Sequence, residues 1–128
     1  MGTLYLVSTP IGNLGDMTYR AVEVLSSAAL VIAEDTRHSR RLLDHYQIKT
    51  PLRSYHEHNE AKETPSLVAR LCAGDSIALI SDAGTPLISD PGARLVAAAL
   101  TAGVPVVPVP GASSVMAALV GSGMSLDR

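Results

Sequence analysis

The residues able to do chemistry fall into three segments punctuated by glycine and proline, and one basic run. The segments are Ser8-Thr9-Pro10-Ile11-Gly12-Asn13-Leu14-Gly15-Asp16, then Ser81-Asp82-Ala83-Gly84-Thr85-Pro86 continuing through Leu87-Ile88-Ser89-Asp90-Pro91-Gly92, then Pro108-Val109-Pro110-Gly111-Ala112-Ser113-Ser114. Each begins at the end of a short apolar run. Glycine lets backbone approach a ligand closely, and proline fixes the path of a loop at low entropic cost. Asp82 can accept hydrogen bonds from a ribose or pair with a cationic group. Ser113 and Ser114 stand where a helix should open, and free N–H groups with adjacent hydroxyls suit a ligand carboxylate or a ribose. Any one segment alone reads as ordinary turn chemistry; three on one sheet edge read as a binding site.

The basic run is Glu34-Asp35-Thr36-Arg37-His38-Ser39-Arg40-Arg41. It puts three arginines in the first turn and a half of a helix, where they oppose the helix dipole and set like charges side by side at the Arg37/Arg40 and Arg37/Arg41 spacings. A sequence that breaks a local rule in this way does so for function or hides the conflict on a solvated face, where Glu34 and Asp35 would neutralise it. As a functional cluster, Arg37, Arg40 and Arg41 would grip phosphates, and Asp35 and His38 are the two candidates for a base. Lys49, Arg53, His56 and His58 follow and would enlarge the patch. His56 and His58 are two residues apart and lack convincing further ligands, so no metal site is expected.

These segments need elements to hold them. Five apolar runs read as strands: Leu4 to Ser8, Ala29 to Ala33, Leu52 to Tyr55, Ser76 to Ser81 and Val104 to Val109. Between them lie helical patterns, so the expected fold is α/β, a mainly parallel five-stranded sheet with helices on both faces. Arg53 and Ser54 interrupt the third run, which makes it an edge strand. One helix follows Asp16 and Thr18, with Ala21, Val24, Leu25 and Ala28 inward. A second opens at Thr36, with Ser39, Leu42, Leu43 and Tyr46 inward. The third is expected to start at a Thr64 cap with Pro65 in first position and Leu67, Val68, Leu71 and Cys72 inward. The fourth is expected to start at an Asp90 cap with Pro91, and to turn Leu95, Val96, Ala99 and Leu100 inward. A fifth should begin near Ser113.

Composition agrees. A core without Phe or Trp must be built from aliphatic residues, as in a parallel sheet covered by helices. The single cysteine, Cys72, rules out an internal disulfide and is expected to be a small buried hydrophobe. A net charge of -2 gives the domain no general attraction for nucleic acid, so any such binding needs a local patch. The start of the chain lacks the features of a secretion signal and no apolar run is long enough to span a bilayer, so the expectation is a soluble cytoplasmic protein without membrane contact. Neither G-x-G-x-x-G nor G-x-x-x-x-G-K-[ST] occurs, which argues against a dinucleotide fingerprint and a P-loop. Gly121 to Arg128 reads as a helix end and the start of a connection.

Together, STPIGNLGD, AEDTRHSRRLL, SDAGTPLISDPG and VPGASS resemble the tetrapyrrole methylase superfamily, and within it the branch that methylates ribose 2′-hydroxyls of bacterial small-subunit (16S) ribosomal RNA. The likeness covers essentially the whole chain. It implies two α/β domains with S-adenosylmethionine between them, usually in a homodimer, of which residues 1–128 would be the N-terminal domain alone. It implies cofactor contacts from Pro10, Ile11, Gly12 and Asn13, from Asp82, Ala83, Gly84, Thr85 and Pro86, and from Ser113 and Ser114. The tetrapyrrole enzymes carry Gly-Asp-Pro at the end of the fourth strand, where this chain has Ser81-Asp82-Ala83-Gly84-Thr85-Pro86; that difference favours the RNA branch. A methylase of a carboxylated tetrapyrrole precursor, which would also use arginines, and a non-catalytic ligand-binding module are the competing readings.

Overall fold

In a computed structural model, described for residues 1–10, 14–82 and 89–111, with Asp82 described by its backbone alone, the chain forms five strands and four α-helices in alternation. The order is β1 (Leu4–Thr9), a 3-10 turn (Leu14–Asp16), α1 (Tyr19–Ser27), β2 (Leu30–Ala33), α2 (Thr36–His45), β3 (Leu52–Ser54), α3 (Glu60–Cys72), β4 (Ile77–Asp82), α4 (Asp90–Thr101) and β5 (Val106–Val109). The sheet order is β3-β2-β4-β1-β5, and every pairing is parallel. The expected sheet is thus the observed one, with the interrupted third strand on an edge. The helix expected from Ser113 lies outside the described residues.

Alternation along the strands divides the core into two layers. Val7, Val31, Ala33, Ala78, Ile80 and Val109 pack under α1 and α2, against Ala21, Val24, Leu25, Leu42 and Leu43. Leu4, Leu30, Ile32, Ile77 and Leu79 face the other way, against Leu67 and Leu71 of α3 and Leu95 and Ala99 of α4. Both faces of the sheet are therefore covered, and the strands need the nearly continuous apolar runs seen in the sequence. No helix among the described residues is long and apolar enough to cross a membrane.

The structure corrects several local expectations. α3 begins at Glu60, four residues before the expected Thr64 cap, and Pro65 lies inside it. Acidic Glu60 and Glu63 in the first turn favour the earlier start through the helix dipole, and the Glu63 N–H is bonded to the Asn59 carbonyl at 2.9 Å. Thr64 makes a different bond, to the Tyr55 hydroxyl at 2.7 Å. The cap of α4 is Ser89, whose hydroxyl accepts from the Gly92 N–H, so Asp90 and Pro91 occupy the first helical positions. Cys72 is exposed, because the inward stripe of α3 runs through Leu67 and Leu71 and the next residue is rotated about 100° away. Leu100 is likewise exposed, one step past the Leu95–Ala99 stripe.

Two polar ties hold α3 against the start of α4. Tyr55 is buried and its hydroxyl donates to the Pro91 carbonyl at 3.0 Å. Burial pushes this hydroxyl above its ordinary pKa, against the opposing effects of Thr64 and Arg94. Beside it the buried carboxylate of Glu60 is paired with the Arg94 guanidinium. Removing the hydroxyl with Tyr55→Phe removes its bonds to the Pro91 carbonyl and the Thr64 hydroxyl, at a cost of about 1–2 kcal/mol. A lower midpoint in urea with unchanged slope is the expected result, and an unchanged midpoint would show that the tie contributes nothing.

Candidate functional site

β1 and β4 are neighbours, in register from Leu4↔Ile77 to Thr9↔Asp82. The chain leaves β1 for α1 on one face and leaves β4 for α4 on the other. Adjacent strands whose connections depart to opposite faces open a crevice beyond their carboxyl ends, the usual ligand site of open α/β sheets. Thr9, fully buried, locks the two ends together through its hydroxyl on the Ser81 carbonyl at 3.2 Å. Pro10, expected among the cofactor contacts, is buried at this edge, and Gly111 is buried beyond β5. Ile11, Gly12 and Asn13, Ala83, Gly84, Thr85 and Pro86, and Ser113 and Ser114 lie outside the described residues, as does the side chain of Asp82. Their strands nevertheless form one contiguous block, β4-β1-β5. At about 4.8 Å between strands, the three strand ends fall within about 10 Å of one another.

The basic run sits one strand away. The β2 register, Leu30↔Ile77 and Ile32↔Leu79, continued by two residues, puts Glu34 level with Ser81, so α2 starts at the same sheet edge. Asp35 is its cap, accepting from the Arg37 N–H at 3.0 Å. That backbone bond, aided by the Arg37 side chain and the His38 N–H and opposed by partial desolvation, holds the Asp35 carboxyl below its ordinary pKa. The side chain is thus committed as an acceptor to the helix start, a poor disposition for a base. His38 is half-buried, and its Nε2 is buried without a hydrogen-bond partner among the described residues.

The three arginines are brought together as expected. Arg37, Arg40 and Arg41 line one groove of about 630 Å3 with Thr36, Leu52 and Ser54, between α2 and the edge strand β3. Arg37 lies 3.5 Å from Asp35 and Arg40 3.9 Å from Asp44, both exposed pairs. The other cations and histidines do not extend the groove's lining. Arg53 is paired with Glu63 at 3.3 Å, while the His56 ring accepts from the His58 N–H at 3.1 Å. No cluster of His, Cys, Asp or Glu arranged for a metal occurs among the described residues. The contribution of Leu52, Thr36 and Ser54 was not evident in the sequence, because it depends on α2 packing beside β3; the only local signal was the polar interruption of an edge strand.

A parallel sheet covered on both faces, with a switch point at its central strands and a cationic helix one strand away, defines an open α/β protein of the doubly wound kind. Residues 3–128 match the family model of tetrapyrrole (corrin/porphyrin) methylases, and the chain belongs to that family. It is 60% identical over 128 residues, all of this chain and 46% of the relative, to ribosomal RNA small subunit methyltransferase I of Synechocystis sp.. It is 55% identical over 96 residues to the protein of the same name from Bacillus subtilis, covering 75% of this chain and 33% of the relative. The chain therefore spans less than half the length of these relatives. Among solved structures, uroporphyrin-III-C-methyltransferase of Thermus thermophilus superposes with a TM-score of 0.65 at 25% identity, over 88% of this chain and 49% of the other. A second structure of that enzyme, in complex with S-adenyl homocysteine, has the same TM-score at 22% identity over 86% and 48% and bears on the fold alone.

The capping role of Asp35 separates two substitutions. Asp35→Asn keeps a good cap acceptor, whereas Asp35→Ala loses it and should lower the melting temperature by a few degrees. Because the folded pKa is depressed, the stabilisation from Asp35 is present above the ordinary value of 3.8 and is lost as pH falls through the lower folded value. Asp35→Asn should therefore flatten the stability–pH curve below about pH 4. Equal destabilisation by both substitutions at neutral pH would contradict the capping role.

Proposed function

We propose that this chain is the N-terminal domain of an S-adenosylmethionine-dependent methyltransferase acting on a ribose 2′-hydroxyl of 16S ribosomal RNA in the small ribosomal subunit. The observation that carries this reading is the 60% identity along the whole chain to a relative named for methylation of small-subunit ribosomal RNA. The arginine groove beside the strand-end crevice supports it. Likeness to a tetrapyrrole enzyme is much lower, at 25%, which ranks that substrate class second. On the family resemblance, the full-length protein is a cytoplasmic homodimer whose second domain closes the other wall of the crevice.

What supports a cofactor site at the crevice is that the three strands preceding the glycine- and proline-punctuated segments, β4, β1 and β5, are contiguous in the sheet. Pro10 to Asn13, Asp82 to Pro86, and Ser113 with Ser114 would hold the cofactor there. When bound, it supplies an electrophilic methyl group on sulfur, so no metal is required. The work left to the chain is to orient the RNA and to remove a proton. Arg37, Arg40 and Arg41 hold phosphates, a role blind to sequence that sets affinity and register. The 2′-hydroxyl must lose its proton as the O–C bond forms and the methyl–sulfur bond breaks, leaving a neutral thioether. Of the two candidates for the base we assign that role to His38, because the Asp35 carboxylate is held by the cap; the buried Nε2 would have to come into reach when RNA binds.

The reading is tested by labelled-methyl transfer from S-adenosylmethionine to unmodified small subunits, using the full-length protein. Label should enter the RNA and render one linkage resistant to alkali. Bound cofactor with no label in RNA would overturn it. His38→Gln should lower the rate at saturating RNA by about a hundredfold. A rate within a few fold of the parent would exclude His38 as the base.

A further inference from the structure

The groove between α2 and β3 offers more than positive charge. It is a shallow, open groove along the helix and the edge strand, able to seat a ligand on its surface. Arg37, Arg40 and Arg41 line it from the helix, and half-buried Leu52 lines it from the strand. Thr36, directly after β2, and Ser54, at the end of β3, place two hydroxyls toward the carboxyl edge of the sheet. Neither hydroxyl is hydrogen-bonded to another described residue. The three cations also differ. Arg37 and Arg40 are each close to a carboxylate, whereas Arg41 has no acidic partner among the described residues. An anion patch would need the guanidinium groups alone. An apolar surface and two free hydroxyls beside an uncompensated arginine match a phosphate joined to a sugar and a base.

We propose that this groove is a nucleotide subsite, holding one nucleotide of the RNA other than the one methylated. Its phosphate lies on Arg41, flanked by Arg37 and Arg40, its ribose meets the hydroxyls of Thr36 and Ser54, and its base covers Leu52. The inference rests on the RNA reading above and extends it by giving a second nucleotide an address outside the β1/β4 crevice. It also accounts for the crowding of like charges at a helix start, an arrangement that stability alone would select against.

The test is calorimetric titration of the full-length protein with uridine 5′-monophosphate, uridine and inorganic phosphate; uridine is used so that an adenosine-binding site does not contribute. The monophosphate should bind at least tenfold more tightly than either fragment. Arg41→Ala should weaken it at least tenfold, and Leu52→Ala should weaken it several fold while leaving phosphate binding unchanged. Equal affinity for monophosphate and phosphate, indifference to Leu52→Ala, or no binding at all would overturn the proposal. On small subunits, Arg41→Ala should raise the KM for RNA and leave the KM for the methyl donor unchanged. If the parent methylates RNA but the monophosphate does not bind, the subsite alone falls. If the monophosphate binds in the groove but RNA receives no methyl, the RNA reading falls and the nucleotide site stands.

Discussion

β1 lies against β4 through six parallel residue pairs, and the site depends on that contact. Because β4 is inserted between β2 and β1, the connection from β1 must pass over β4 to reach β2, and the connection from β4 must pass over β1 to reach β5. The two helices that do so, α1 and α4, take opposite faces, which makes the carboxyl ends of the central strands a topological switch point. The buried Thr9 hydroxyl on the Ser81 carbonyl holds those ends in register where the two loops diverge. A simple sequential strand order would place no such switch point between β1 and β4.

The second constraint is electrostatic. α2 starts with cations where a helix prefers anions, and the Asp35 carboxylate offsets the conflict by capping the helix and standing near Arg37. The neutralisation is incomplete along the groove, where Arg41 lacks an acidic partner among the described residues. The helix therefore keeps a positive wall although the chain carries a net charge of -2. Local field, rather than overall charge, is what an approaching anion responds to. Near this wall, but committed to no other described group, is the Nε2 atom of His38.

Most of the fold was legible in the sequence because a two-sided parallel sheet writes itself as apolar runs, and helices write themselves as stripes such as Ala21-Val24-Leu25 and Leu42-Leu43. Helix starts were less legible. Thr64-Pro65 looked like a start, yet two acidic residues upstream begin the helix earlier, and the threonine serves Tyr55 instead. Cys72 and Leu100 fell on the solvent side because a stripe continued by one residue turns the corner of the helix. At the candidate site, the arginine cluster showed in the sequence as a conflict with the dipole, and Asp35 and His38 stood out with it. The division of labour between those two required the cap bond of one and the buried, unpartnered nitrogen of the other. Leu52 as part of the groove, and the Glu60–Arg94 pair at the α3/α4 seam, join elements far apart in sequence and carry no local signature.

Ligand held at the carboxyl edge of β1 and β4, with the start of α2 alongside, would shield that edge from solvent. Hydrogen–deuterium exchange of the full-length protein, with and without saturating S-adenosylhomocysteine, tests this most directly. Exchange should slow in peptides covering residues 8–18, 34–39 and 81–92, with no change around residues 70–77 at the opposite edge. Protection confined to that opposite edge, or saturating binding that leaves the first three regions unchanged, would contradict it.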